Sequence, residues 1–116
     1  MEFDGVEFIN LTPHEVVIFT ENKTYVIPPS GEVLRLDNIK ERVGNVLDIP
    51  LYKITYGEIP ELPPEKPNTY YIVSSMVLLA LREKGVHRKD IVAPDTTNPV
   101  RDKDGKILGV KGLQVI

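Results

Sequence analysis

The side chains that could carry chemistry in this 116-residue sequence are few: two histidines, no cysteine, and a scatter of serines and acids. Without cysteine, disulfides, thiolate nucleophiles and thiolate metal sites are excluded. His14 closes the stretch Asn10–His14 (NLTPH), and His87 opens His87–Asp90 (HRKD). Either histidine, joined by Ser74 and by Asp90 or Asp95, has the residue types of a hydrolytic triad, with the imidazole as general base and the carboxylate as its partner. The glycines of a Gly-x-Ser-x-Gly elbow are missing around Ser74, which weakens that reading. Two distant histidines with no HExxH make no metal site.

The second chemistry open to these residues is anion binding. Ser74 and Ser75 stand where a strand-like run hands over to a helix-like run, and a helix start offers free N–H groups and a favourable dipole to negative charge. Asp95 and Thr96 follow the next strand-like run. Ligands of open parallel sheets gather beyond such strand ends. Arg88 or Arg101 would then act as a second clamp, and Asn10 and His14 as a wall. The alternative is purely architectural: Ser75 caps the helix and Asp95 shapes a turn after Pro94. No GxGxxG or GxxxxGK[ST] is present, so neither a nucleotide site of the standard kinds nor a cofactor is expected.

The elements that must position these residues follow from pattern. Glu2 to Leu11 reads as a first strand. Glu15 to Phe19 and Thr24 to Ile27 read as a hairpin around the polar Thr20–Lys23 loop, stopped by Pro28-Pro29. Thr12-Pro13-His14-Glu15 has the spacing of a capping box, yet a β-branched run follows it. Thr12 is therefore expected to bond a tight turn, with Pro13 presetting its φ and Glu15 closing the box. Glu32 to Leu36 alternates like a strand. Asp37 to Val46 is ambiguous, with a single helical turn over Ile39 to Arg42, and Val46 to Ile59 reads as one or two strands broken at Pro50. Residues 58–67, with four prolines, are expected to be an exposed, semi-rigid connection within a single domain spanning 1–116.

Thr69 to Val73, Met76 to Lys84 and Asp90 to Ala93 have the composition and spacing of strand, helix and strand, a crossover at 69–94 whose strands should run parallel. Met76 to Leu81 is apolar at every position, which predicts a helix buried on most sides. Val100–Asp102 and Lys106–Ile116 flank an Asp104-Gly105 turn signal. The expected fold is α+β: a curved, mostly antiparallel sheet around one buried central helix.

Seven short stretches in series carry a resemblance: Asn10–His14, Ile27–Gly31 (IPPSG), Tyr56–Glu58 leading to Leu62-Pro63, Tyr71–Ser74 (YIVS), Arg88–Asp90, Ala93–Asp95, and Val100–Asp102 with Gly105. Together they resemble a family of small uncharacterised proteins of actinobacteria, their phages and some other prokaryotes. The resemblance spans nearly the whole chain. It implies a self-contained domain of shared architecture, transfers no activity, and admits a phage-related role.

The 17 acidic and 14 basic residues give a net charge of −3 and form no basic run, so no nucleic-acid partner is expected. No signal-peptide pattern opens the chain, and the apolar run at 76–81 is far too short for a bilayer; a cytoplasmic protein with no membrane partner is expected. Three functions remain. The first is a ligand-binding or protein-interaction module with a polar, anion-accepting pocket at 74–75 and 95–101. The second is a small hydrolase using His14 or His87, and the third is a structural, homo-oligomer-forming subunit.

Overall fold

A computed structural model describes residues 1–116, which form eleven strands and one helix. The buried centre is the crossover. In β7 (Thr69–Ile72) and β8 (Ile91–Pro94) nearly every residue is buried, with Tyr71, Val73, Ile91 and Ala93 facing one way and Ile72 and Val92 the other. Continuous apolar runs of this kind belong to strands covered on both faces. One cover is α1 (Ser75–Glu83), through Val77, Leu78 and Leu81. The other is a second sheet, which supplies Val16, Ile18, Ile27 and Val110.

With β1 (Glu2–Phe3), β2 (Val6–Asn10) and β11 (Leu113–Val115), the crossover strands form a five-stranded sheet of order β1-β2-β7-β8-β11. The pairs β2–β7 and β7–β8 are parallel, and the outer pairs antiparallel. The second sheet, β4-β3-β10-β9, consists of β3 (Val16–Phe19), β4 (Thr24–Ile27), β9 (Pro99–Arg101) and β10 (Ile107–Val110). Gly109 lets β10 approach β3: a Cβ there would lie 2.6 Å from the Val17 carbonyl oxygen and 2.8 Å from the Phe19 ring. A third sheet is the hairpin of β5 (Asn38–Val46) and β6 (Ile49–Tyr56), paired only with each other.

The chain is thus mostly sheet with one short helix. In place of one curved sheet around that helix, three open sheets form and α1 lies against a single face. Met76 and Leu79 are 60% and 50% exposed, so the run that is apolar at every position buries only one stripe. Residues 69–94 fold as expected, and so does the 15–27 hairpin. Other expectations change. The run from Glu2 to Leu11 is broken at Asp4-Gly5, both at positive φ (50° and 84°), which folds β1 back on β2. The ambiguous stretch at 37–46 is strand rather than helical turn. Glu32 to Leu36 has no ladder partner, though the Leu34 N–H donates to the Leu11 carbonyl at 3.0 Å.

Residues 58–67 form no ladder and most of them are exposed, as expected of a semi-rigid connection, but the segment is also strapped to the body. Ile59 and Leu62 pack on the helix-side core, the Tyr71 hydroxyl donates to the Pro64 carbonyl at 2.8 Å, and Arg88 donates to that of Pro63 at 2.8 Å. Prolines leave carbonyls free of ladder duty, and neighbouring side chains use them to strap the segment down.

Candidate functional site

Because β7 and β8 are parallel neighbours, Ser74, Ser75 and Asp95 emerge at one end of the sheet. Ser74, not Ser75, is the helix cap: its Oγ accepts the Val77 N–H at 3.2 Å. Ser75 Oγ lies 3.2 Å from Gln114 Nε2, which also donates to the Pro94 carbonyl at 2.9 Å. A side chain of β11 therefore ties the helix start to the end of β8, a link that nothing in the local sequence announces.

Asp95 is turned onto its own loop. Its Oδ1 accepts the N–H and hydroxyl of Thr97, and its N–H donates to the Gly112 carbonyl at 2.9 Å. The Thr97 hydroxyl, then its N–H, holds this carboxyl below its ordinary range. An anion at this strand end would meet an ionised carboxylate rather than a clamp. Thr96 is exposed and its side chain makes no hydrogen bond.

Neither arginine reaches the serines as a clamp. Arg101 is exposed and donates to the Gly105 carbonyl at 2.8 Å, closing its own turn. Arg88 precedes β8 and so lies at the opposite end of the sheet from Ser74. Its Nε and Nη2 each meet an Asp90 carboxylate oxygen at 2.7 Å, and Glu65 lies 3.2 Å from Nε. The two side chains are 15% and 14% exposed. Hydrogen bonding to Arg88 holds the Asp90 carboxyl below its ordinary range, and Asp90 raises Arg88 in return.

Asn10 is 1% exposed and is the hub of its corner. Its Nδ2 donates to the carbonyls of His14 (2.8 Å) and Ile27 (3.1 Å), while Oδ1 accepts the Thr12 N–H (3.0 Å) and hydroxyl (2.7 Å). The Ser30 N–H and hydroxyl return to the Asn10 carbonyl. The corner is therefore an Asx turn headed by Asn10, not a capping box headed by Thr12, and Glu15 closes nothing. His14 contributes its carbonyl while its imidazole is exposed. His87 is exposed as well, and neither ring hydrogen-bonds a carboxylate.

Several concavities open on the surface. One of about 270 Å³ opens beside the helix start and includes Thr12, Arg35, Asn38, Tyr56, Ser74 and Met76. Arg35 escapes a sequence reading because its neighbours form no motif. Another, about 430 Å³, is mostly apolar and is lined from both large sheets, with Phe3, Phe8, Tyr25 and Leu113, away from the candidate residues. No group of three or more His, Cys, Asp or Glu is placed to hold a metal, and no helix is long and apolar enough to cross a membrane.

The most conspicuous surface is the 38–56 hairpin. Apart from Tyr56 every residue of both strands is exposed. Eight of the chain's seventeen exposed large apolar side chains fall between Ile39 and Ile54, so this short stretch holds nearly half of them. At its tip Leu47 is 88% exposed and sits at φ 55°, a backbone that favours glycine. The hairpin holds itself together through Lys40 stacked 4.0 Å over the Tyr52 ring, an Arg42–Asn45 hydrogen bond, and a Gly57-to-Asp37 backbone bond of 2.8 Å at its base. Compared with protein-family models, curated proteins and solved structures, the chain matches none.

Proposed function

We propose that this protein is a non-enzymatic interaction module, a layered body that presents the 38–56 hairpin as a docking arm. The observation that carries the reading is an arm with both strands exposed and an apolar tip. A lone two-stranded hairpin is marginal in water, and exposed apolar patches on soluble proteins mark interaction sites. A strained, fully exposed leucine at a turn has no role in packing the arm itself, which favours contact with something outside it. The resemblance to small proteins of actinobacteria and their phages is compatible with a subunit whose work is assembly.

The test is amide hydrogen exchange on dilute protein. An arm awaiting a partner exchanges within seconds while β7 and β8 stay protected. An arm protected in dilute monomer is folded onto the body, and the docking reading then falls.

A second reading, an anion site at the helix start, is favoured by Arg35 lining the same concavity as Ser74. Saturating sulfate or phosphate should then raise Tm, and Arg35→Ala should abolish the rise; an unmoved Tm removes this reading. The hydrolase alternative has less support, since both imidazoles are exposed and neither meets a carboxylate.

A further inference from the structure

The structure points to the occupant of the arm, and we infer that it is the arm of a second copy of this chain. This rests on the docking reading above and is a narrower claim.

A compact monomer of 13.1 kDa exposes about 6,400 Å², whereas this chain exposes 8166 Å². Its radius of gyration is 16.6 Å, against about 13 Å for a compact chain of this length. The excess of about 1,800 Å² is what an extended, unpartnered projection adds to a chain of this mass, and one face of that projection is the surface at issue. Only 17 residues are buried. The chain thus carries more surface, and is more extended, than a compact monomer of its mass.

Register places Ile39/Thr55, Glu41/Lys53, Gly44/Leu51 and Val46/Ile49 as cross-strand pairs. Opposed residues share a face, and so do alternate residues along each strand, so these pairs line one face of the arm. The strand order is unbroken on β6, and the irregularity on β5 lies between Arg42 and Gly44. This face is apolar toward the tip and carries one acid and one base side by side at the same level.

Two such faces can be stacked by a two-fold axis running along the arm, which lays β5 over the partner's β6. Each Glu41 then faces Lys53 of the partner subunit, and each Val46 faces Ile49 of the partner subunit. The face is complementary to itself, as an isologous interface requires. A net charge of only −3 offers little opposition to self-association.

Charge reversal tests this directly. Wild-type protein should sediment, as concentration rises, toward twice the 13.1 kDa chain mass. Glu41→Lys and Lys53→Glu each place like charges across the two-fold and should weaken the dimer about tenfold or more. An equimolar mixture of the two variants should regain the doubled mass, because every acid then faces a base. Mixing cannot repair a fault within one arm, so recovery is specific to contact between chains.

Single-chain mass at millimolar concentration, doubled mass retained by either variant alone, or a mixture that stays at single-chain mass overturns the inference. Should a variant misfold, wild-type exchange decides: arm amides that slow only as concentration rises support the dimer, and concentration-independent exchange overturns it. Monomeric protein with fast arm exchange defeats the second copy and leaves the docking arm standing. Monomeric protein with a protected arm defeats both.

Discussion

At the scale of single residues, the side chains that look chemical mostly hold the backbone. Asn10 uses both amide hydrogens and its carbonyl oxygen on Thr12, His14 and Ile27 while almost fully buried. Asn10→Ala strands the His14 and Ile27 carbonyls and the Thr12 N–H. It should cost about 3 kcal/mol, or roughly 12 °C in Tm, read by calorimetry. Asp90 has a pH signature. Its carboxyl is held down by Arg88, so the folded state gains stability above the ordinary aspartate pKa of about 4 and loses it as pH falls through the lowered value. Stability should therefore fall on acidification below about pH 4, and Asp90→Asn should flatten that fall while costing about 2 kcal/mol at neutral pH. A Tm-against-pH profile of the two proteins checks both. The sequence singles out Asn10, Ser74 and Arg88 as positions of consequence, but it cannot show where their hydrogen bonds end. Arg88 clamps a carboxylate two residues on and a proline carbonyl twenty-five residues back, and only the second of these needs the fold.

Among elements, what was legible in the sequence tracks how completely each one is buried. Tyr71–Val73 and Ile91–Ala93 are buried and read as short unbroken apolar runs, and the Ser74-to-Gly85 helix carries its own cap and stop. The 38–56 hairpin is illegible for the opposite reason. Strand β5 faces water on both sides, so Lys40, Glu41 and Arg42 follow one another without alternation, and its Leu47-Asp48 turn lacks the expected glycine. The sheet-to-sheet handover at Lys111-Gly112 is equally silent, since the joining of β10 to β3 depends on contacts over ninety residues apart. That joining has a testable weak point. Gly109→Ala would drive a methyl into the Val17 carbonyl, which is backbone and cannot swing aside. A loss of about 2–3 kcal/mol in urea unfolding is expected. Ala tolerated at wild-type stability would mean that β10 does not sit this close to β3.

For the whole molecule, the question is whether the arm belongs to the cooperative unit. The protein measures 53 × 40 × 24 Å, and a nine-residue strand spans about 27 Å, about half of the longest extent. Neither large core includes a residue of β5 or β6. Hydrophobic stabilisation scales with apolar area removed from water, and most of the arm's large apolar side chains keep more than half of their area in water in the isolated chain. Asn38 and Tyr56 are cross-strand partners at its base, close enough for an Asn-Gly turn to replace residues 39–55. In dilute solution, where self-association is absent, this replacement should leave Tm within about 3 °C of wild type. The radius of gyration, read by small-angle scattering, should fall to about 13 Å. If the intact chain pairs as proposed, its Tm should climb with concentration by mass action, and that of the shortened chain should not. A drop of about 10 °C or more in dilute solution would instead make the arm part of the folding core. The contrast between the two concentration regimes therefore separates an element that stabilises the protomer from one whose order comes from a neighbour.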